Sequence, residues 1–173
     1  DLRIMSPWID DSSQSFISSL RKAIESGVEV KILMRNGNRY DWRRLTKNFL
    51  ENLGEDEENV EIRTYTRFKK DKSKQKIKQD LKEDNQLRDI FGIHGKIYMA
   101  GDEKTGIACI SSANLMENSL KWNAEAGVLT TSSNVIQPAR EFFDLIWELS
   151  ETVDPKNITY KDREFRIPGP YRL

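Results

Sequence analysis

Residues 2–34 read LRIMSPWIDDSSQSFISSLRKAIESGVEVKILM, and the order of apolar runs in this stretch decides the fold class. Leu2 to Met5 is a short apolar run ended by Ser6 and Pro7, as in a strand entering a loop. Ser12 or Ser13 can cap a helix whose apolar positions Phe16, Ile17, Leu20, Ala23 and Ile24 recur at three and four residues, with Gly27 closing it. Val28 to Met34 carries little polarity beyond Glu29 and Lys31, the pattern of a strand buried on both faces. Further on, Asp41 can cap a helix bearing Leu45, Phe49, Leu50 and Leu53, stopped by Gly54, and Val60 to Tyr65 follows as a third strand. Strand, helix, strand, helix, strand predicts an α/β fold: a mixed, largely parallel central sheet flanked by helices on both faces.

The second half reads differently. Ile93 to Ala100 and Gly106 to Ser112 are apolar runs joined by Gly101-Asp102-Glu103-Lys104-Thr105, which predicts a hairpin. Asn123 to Thr131 reads as a further strand, and Asn134 can cap a last helix bearing Val135, Ile136, Phe142, Phe143, Ile146 and Trp147. Phe142, Phe143 and Trp147 are read as core, and Cys109, on an apolar strand, as a small core residue. Between the halves, Arg63 to Lys78 holds eight basic residues against Asp71 alone and has almost nothing to bury; it is either a mobile loop or an exposed helix. The expected organisation is one domain over residues 1–150 with a charged insertion at 66–90, then an irregular tail at 151–173 marked by Pro155, Pro168, Gly169 and Pro170.

With 173 residues, 28 Lys plus Arg and 28 Asp plus Glu, the chain has a formal net charge of zero, so any basic surface is local. No apolar run approaches the ~20 residues of a membrane helix, so no membrane partner is expected. A single cysteine excludes an internal disulfide and fits a reducing, cytoplasmic setting. The first residue is Asp1 and not a methionine, which suggests a piece of a longer protein.

The one histidine, His94, stands two residues before Lys96, so on a strand both side chains share a face and can meet one anion. Ser112 and Asn114 repeat the spacing at the end of the paired strand and add neutral donors. Glu125 is a carboxylate in an otherwise apolar stretch, suited to an imidazole Nδ1 proton. The set offers a nucleophile, a cation, two donors and an orienting carboxylate, which suits a phosphodiester. There is no second histidine and no tight carboxylate group, so neither a metal nor a cofactor is expected.

His94-Gly95-Lys96-Ile97-Tyr98-Met99, Ile110-Ser111-Ser112-Ala113-Asn114-Leu115 and Ser119-Leu120-Lys121-Trp122-Asn123-Ala124-Glu125 together resemble the phospholipase D superfamily, whose signature is H-x-K-x4-D-x6-G-S-x-N with a downstream N-x-E. Residues 4–10 and 27–33 resemble its first two strands more weakly. The resemblance implies a phospholipase D-like catalytic domain with His94 as nucleophile forming a phosphohistidine, Lys96, Ser112 and Asn114 as phosphate ligands, and Glu125 orienting His94. Two departures stand out: the signature aspartate would fall at Gly101, with Asp102 one residue late and readable as a turn residue, and Ser111 replaces the usual glycine.

Arg35, Arg39, Arg43, Arg44 and Lys47 form a second basic group, with Tyr40 and Trp42 inside it, while acids gather at Glu51 to Glu58. This polarisation favours a phosphate backbone, with Arg35, Arg39, Arg43, Arg44, Lys69, Lys70, Lys72 and Lys74 as candidate contacts. The expected function is a metal-independent nuclease, an endonuclease, working as a homodimer, because one histidine leaves the acid-base role to a second copy; the competing reading is a two-repeat parent whose other half carries the partner motif. The alternatives are a phospholipid hydrolase or transferase and a catalytically silent nucleic-acid-binding or regulatory domain.

Overall fold

Residues 2–34 build the centre of the sheet. The computed structural model describes residues 1–10, 14–35, 48–49, 51–53, 59–68, 90–102 and 104–152. Within them, β1 (Leu2–Met5), α1 (Gln14–Glu25) and β2 (Val30–Arg35) follow in order, and β1 lies parallel to β2 with Leu2 opposite Val30. Gly27 closes α1 at φ +80°, a left-handed conformation that a side chain would strain. β3 (Val60–Phe68) adds in parallel beside β2. β4 (Ile90–Gly92), β5 (Ile97–Ala100), β6 (Ile107–Ser111), α2 (Glu117–Lys121), β7 (Gly127–Thr130), α3 (Ser133–Glu148) and β8 (Glu151–Thr152) complete the described elements.

The sheet runs β4-β3-β2-β1-β5-β6-β7, with β8 also pairing β3. Only β1, β2 and β3 are mutually parallel; β5 turns antiparallel on β1, and β6 and β7 continue antiparallel. Alternation along the strands feeds two cores. Ile4, Val30, Ile32 and Met34 join Ile17, Leu20 and Ile24 of α1 on one face, whereas Met5, Leu33, Met99 and Ala108 join Ile136, Ala139, Phe143 and Trp147 of α3 on the other. Helices on both faces are therefore the consequence of strands that bury both sides.

Several expectations change. β3 runs to Phe68 and pairs with β4 through Thr66 and Gly92, so the basic run begins as strand and not as loop or helix. Arg63 is taken up by the fold: it donates to Glu61 at 2.7 Å and to the Trp147 carbonyl at 3.0 Å, with its guanidinium 4.7 Å from the Trp147 ring centroid. β5 starts at Ile97 and β7 at Gly127, so His94, Lys96 and Glu125 precede their strands. Ser132, not Asn134, caps α3, its carbonyl accepting from Val135 and Ile136. Phe142 is 46% exposed, because α3 turns Phe143 and Trp147 inward and a neighbour one residue away points elsewhere. The tail opens with strand β8 on β3. The caps at Ser12, Ser13 and Asp41, the residues Leu45, Leu50 and Gly54, and residues 69–89 and 153–173 lie outside the described residues, while Phe49 and Leu53 are buried.

Candidate active site

The ends of β1 and β6 and the starts of β5 and β7 meet at one edge of the sheet, and the backbone laces them together. Met5 faces Ile97, Ile97 faces Ile110 and Ser111 faces Gly127. Ser111 N donates to the Lys96 carbonyl at 3.0 Å, and Ser112 N to the Ala126 carbonyl at 2.9 Å. His94, Lys96, Ser112 and Glu125 are thereby brought to one place although His94 and Glu125 are 31 positions apart in the chain.

His94 and Lys96 sit side by side without strand geometry. Lys96 Nζ lies 3.0 Å from His94 Nδ1 and donates to the His94 carbonyl at 2.9 Å. Lys96 is buried while His94 is exposed, so a cation is held under a ring that faces solvent. Burial pushes the Lys96 ammonium below its ordinary pKa, with the nearby Glu125 carboxylate acting in the opposite sense. Glu125 accepts from the Ser112 hydroxyl, which chiefly holds its carboxyl below the usual range, aided by Ser119, Asn123 and the charge of Lys96. Asn114 Oδ1 is buried without a hydrogen-bond partner among the described residues. Among the described residues nothing donates to that oxygen, and it is the Asn114 Nδ2 group, not this acceptor, that a phosphate oxygen would take.

The described hydrogen bonds join Glu125 to Ser112 and Asn123, and its carboxylate acts by charge on Lys96. Asp102 is a turn residue: its Oδ1 accepts from the N–H of Lys104 and of Thr105, both at 2.7 Å, and these bonds depress its pKa. Arg35 ends β2 on the same edge, with its guanidinium 5.5 Å from the Trp8 ring centroid. Arg39, Arg43, Arg44, Lys69, Lys70, Lys72 and Lys74, like Tyr40 and Trp42, lie outside the described residues. Among the described residues, no three His, Cys, Asp or Glu side chains gather in a way that holds a metal ion.

Sequence reading missed the supports. The Tyr98 hydroxyl donates to the Ala113 carbonyl at 2.6 Å, and burial pushes this phenol up to about 12. Fully buried Ser6 accepts from Leu115 N at 3.0 Å and donates to the Trp8 carbonyl at 2.7 Å, while Ile9 bridges Leu115 and the Asp10 carboxylate accepts from Glu117 N. These bonds fix the Ser112 to Asn114 loop, and nothing local in the sequence announces them, apart from Tyr98 lying two residues past Lys96. Ser111, in place of glycine, gains a role: its Oγ accepts from Ala113 N at 3.0 Å and donates to the Ala126 carbonyl at 3.3 Å.

The space for Ser111 comes from Gly127 opposite it. A Cβ on Gly127 would stand 2.8 Å from the Ile110 carbonyl oxygen and 3.0 Å from Ser111 Cβ. Gly127→Ala is therefore expected to destabilise the fold by about 1–3 kcal/mol, as overpacking does. Urea denaturation measures it, and an unchanged midpoint would show that β7 shifts freely.

A protein-family model described as "Cardiolipin synthase, PLD-like domain" matches residues 1–147. Among solved structures, the chain is similar to NucT from Helicobacter pylori, with a TM-score of 0.62, 16% identity, and coverage of 88% of this chain and 81% of that one. It is similar to the phospholipase D family member Nuc from Salmonella typhimurium, with a TM-score of 0.57, 18% identity, and coverage of 88% and 80%. Polyphosphate kinase from Porphyromonas gingivalis matches 85% of this chain over 21% of its own, with a TM-score of 0.53 and 18% identity. At these identities the likeness is one of fold. No curated protein matches the chain.

Proposed function

The chain belongs to the phospholipase D superfamily, and we propose that it is a metal-independent phosphodiesterase that cleaves nucleic acid through a phosphohistidine on His94. The observation that carries this reading is the exposed His94 ring beside the buried Lys96 ammonium, 3.0 Å from Nδ1. Non-bridging phosphate oxygens draw Lys96 off Nδ1 and take the Asn114 Nδ2 group as a further donor, and the Ser112 hydroxyl turns to them from Glu125. Nδ1 then holds the ring proton, and Nε2 attacks phosphorus as the bond to the leaving oxygen breaks. Glu125 holds the Ser112 hydroxyl until phosphate binds and acts by its charge on Lys96.

The leaving oxygen needs a proton, and the water that later breaks the P–N bond needs a base. With one histidine in the chain, His94 of the partner subunit across a two-fold axis supplies both. Arg35 and the basic groups at residues 39–47 and 69–74 take the flanking backbone. The rival substrate is a phospholipid, since the matching family is described by cardiolipin synthase. No described helix is long and apolar enough to cross a membrane.

The test is cleavage of an oligonucleotide and of phospholipid vesicles in EDTA. Oligonucleotide cleavage undiminished by EDTA is expected, falling with rising salt. Neutralising Lys69, Lys70, Lys72 and Lys74 is expected to reduce the salt slope of binding by about one unit for each phosphate no longer neutralised. Loss of activity in EDTA with recovery in magnesium, or hydrolysis of the vesicles alone, would overturn the proposal.

A further inference from the structure

Trp8 is absent from the chemistry above, yet the fold ties it to the Ser112 to Asn114 loop. Its carbonyl accepts from Ser6 Oγ, the atom that also receives Leu115 N, next to Asn114. Its neighbours Ile9 and Asp10 are bonded to Leu115 in turn. Along the sheet edge the order is Arg35 at the end of β2, Trp8 after β1, Lys96 before β5 and Ser112 after β6. β2 and β5, which carry Arg35 and follow Lys96, are two strand spacings apart, about 10 Å, with β1 between them.

Trp8 is half-buried, packs against the α1-side core, and carries the Arg35 guanidinium 5.5 Å from its ring centroid. A guanidinium over an indole marks a π face open to a flat partner, and a nucleobase takes the same place by stacking. We infer that Trp8 and Arg35 form a base-stacking subsite beside the reacting phosphate: the base of the adjoining nucleotide replaces the guanidinium on the indole, and Arg35 turns to the next phosphate. The inference rests on the phosphodiesterase reading and deepens it. It makes the substrate a polynucleotide with an accessible base, a single strand or an opened end, because a base stacked within a duplex offers no free face.

Binding by His94→Ala protein of an oligothymidylate, and of an abasic phosphodiester of equal length, tests it without turnover. Trp8→Leu is expected to weaken oligothymidylate binding about tenfold and to leave the abasic strand unchanged, with Trp8→Phe restoring most of the loss. Arg35→Gln is expected to weaken both. Equal losses on both strands would reduce Trp8 to a support of the loop, and no loss on either would remove the subsite. If Trp8→Leu weakens binding to phosphatidylglycerol vesicles, measured alongside, and not to oligothymidylate, the subsite belongs to lipid and the inference fails. Base-dependent binding through Trp8 in a wild-type protein that cleaves nothing would sink the hydrolytic reading and leave the subsite standing.

Discussion

Replacing His94 by alanine is expected to lower phosphodiester cleavage by at least about 10³-fold, because the change removes both the nucleophile and, in a shared site, the proton donor. The fold has little stake in this ring: it is exposed, and its side-chain contact is to Lys96 Nζ. Melting is expected to be unchanged, so a fall in activity will not reflect a fall in folded protein. Wild-type protein quenched during turnover of a labelled substrate is expected to carry an acid-labile phosphoryl group. The chain's single histidine makes its assignment unambiguous. Mixing wild-type with excess His94→Ala chains under subunit exchange then reads the second role: activity is expected to fall with the square of the wild-type fraction. Proportional dilution would leave one histidine sufficient for each site, and an active His94→Ala protein would end the covalent mechanism.

Lys96→Met is expected to cost about 10²- to 10³-fold in kcat without lowering the melting temperature. Lys96 is 7% exposed, and its pKa lies below the ordinary 10.5 because burial penalises the ammonium. In the window between the lowered value and 10.5, the unfolded chain binds more protons than the folded one. Wild-type stability therefore rises with pH through that window, and the cost of the buried charge is present in full below it. Methionine keeps the length, removes the charge and removes that slope. Wild-type activity is expected to decline at alkaline pH as the same ammonium discharges, at a pH below that of an ordinary lysine. A Lys96→Met protein that melts early, or cleaves normally, would show that the ammonium serves the fold and not the phosphate.

Much of this was legible in the linear chain. Leu2–Met5, α1 and Val30–Met34 announced themselves by period, because a strand buried on both faces must be apolar throughout and a one-faced helix must repeat at three and four residues. The residue types of the site were legible too, since His94, Lys96, Ser112, Asn114 and Glu125 are chemically conspicuous at their spacings. Pairing between distant segments was not. That Thr66 meets Gly92, that Arg63 is spent on Trp147, and that β6 stands between β5 and β7 follow from strand order, which local pattern does not encode. The sequence by itself determined the central strands and helices and which side chains are candidates for chemistry, because periodicity and functional groups are properties of single segments. Only the tertiary structure decided that Lys96 is the neighbour of His94 Nδ1, that Ser112 holds Glu125, and that Ser6, Tyr98 and Gly127 fix the loop between them. Those depend on which strand ends the sheet brings to one edge, and that choice is made by the packing of two cores.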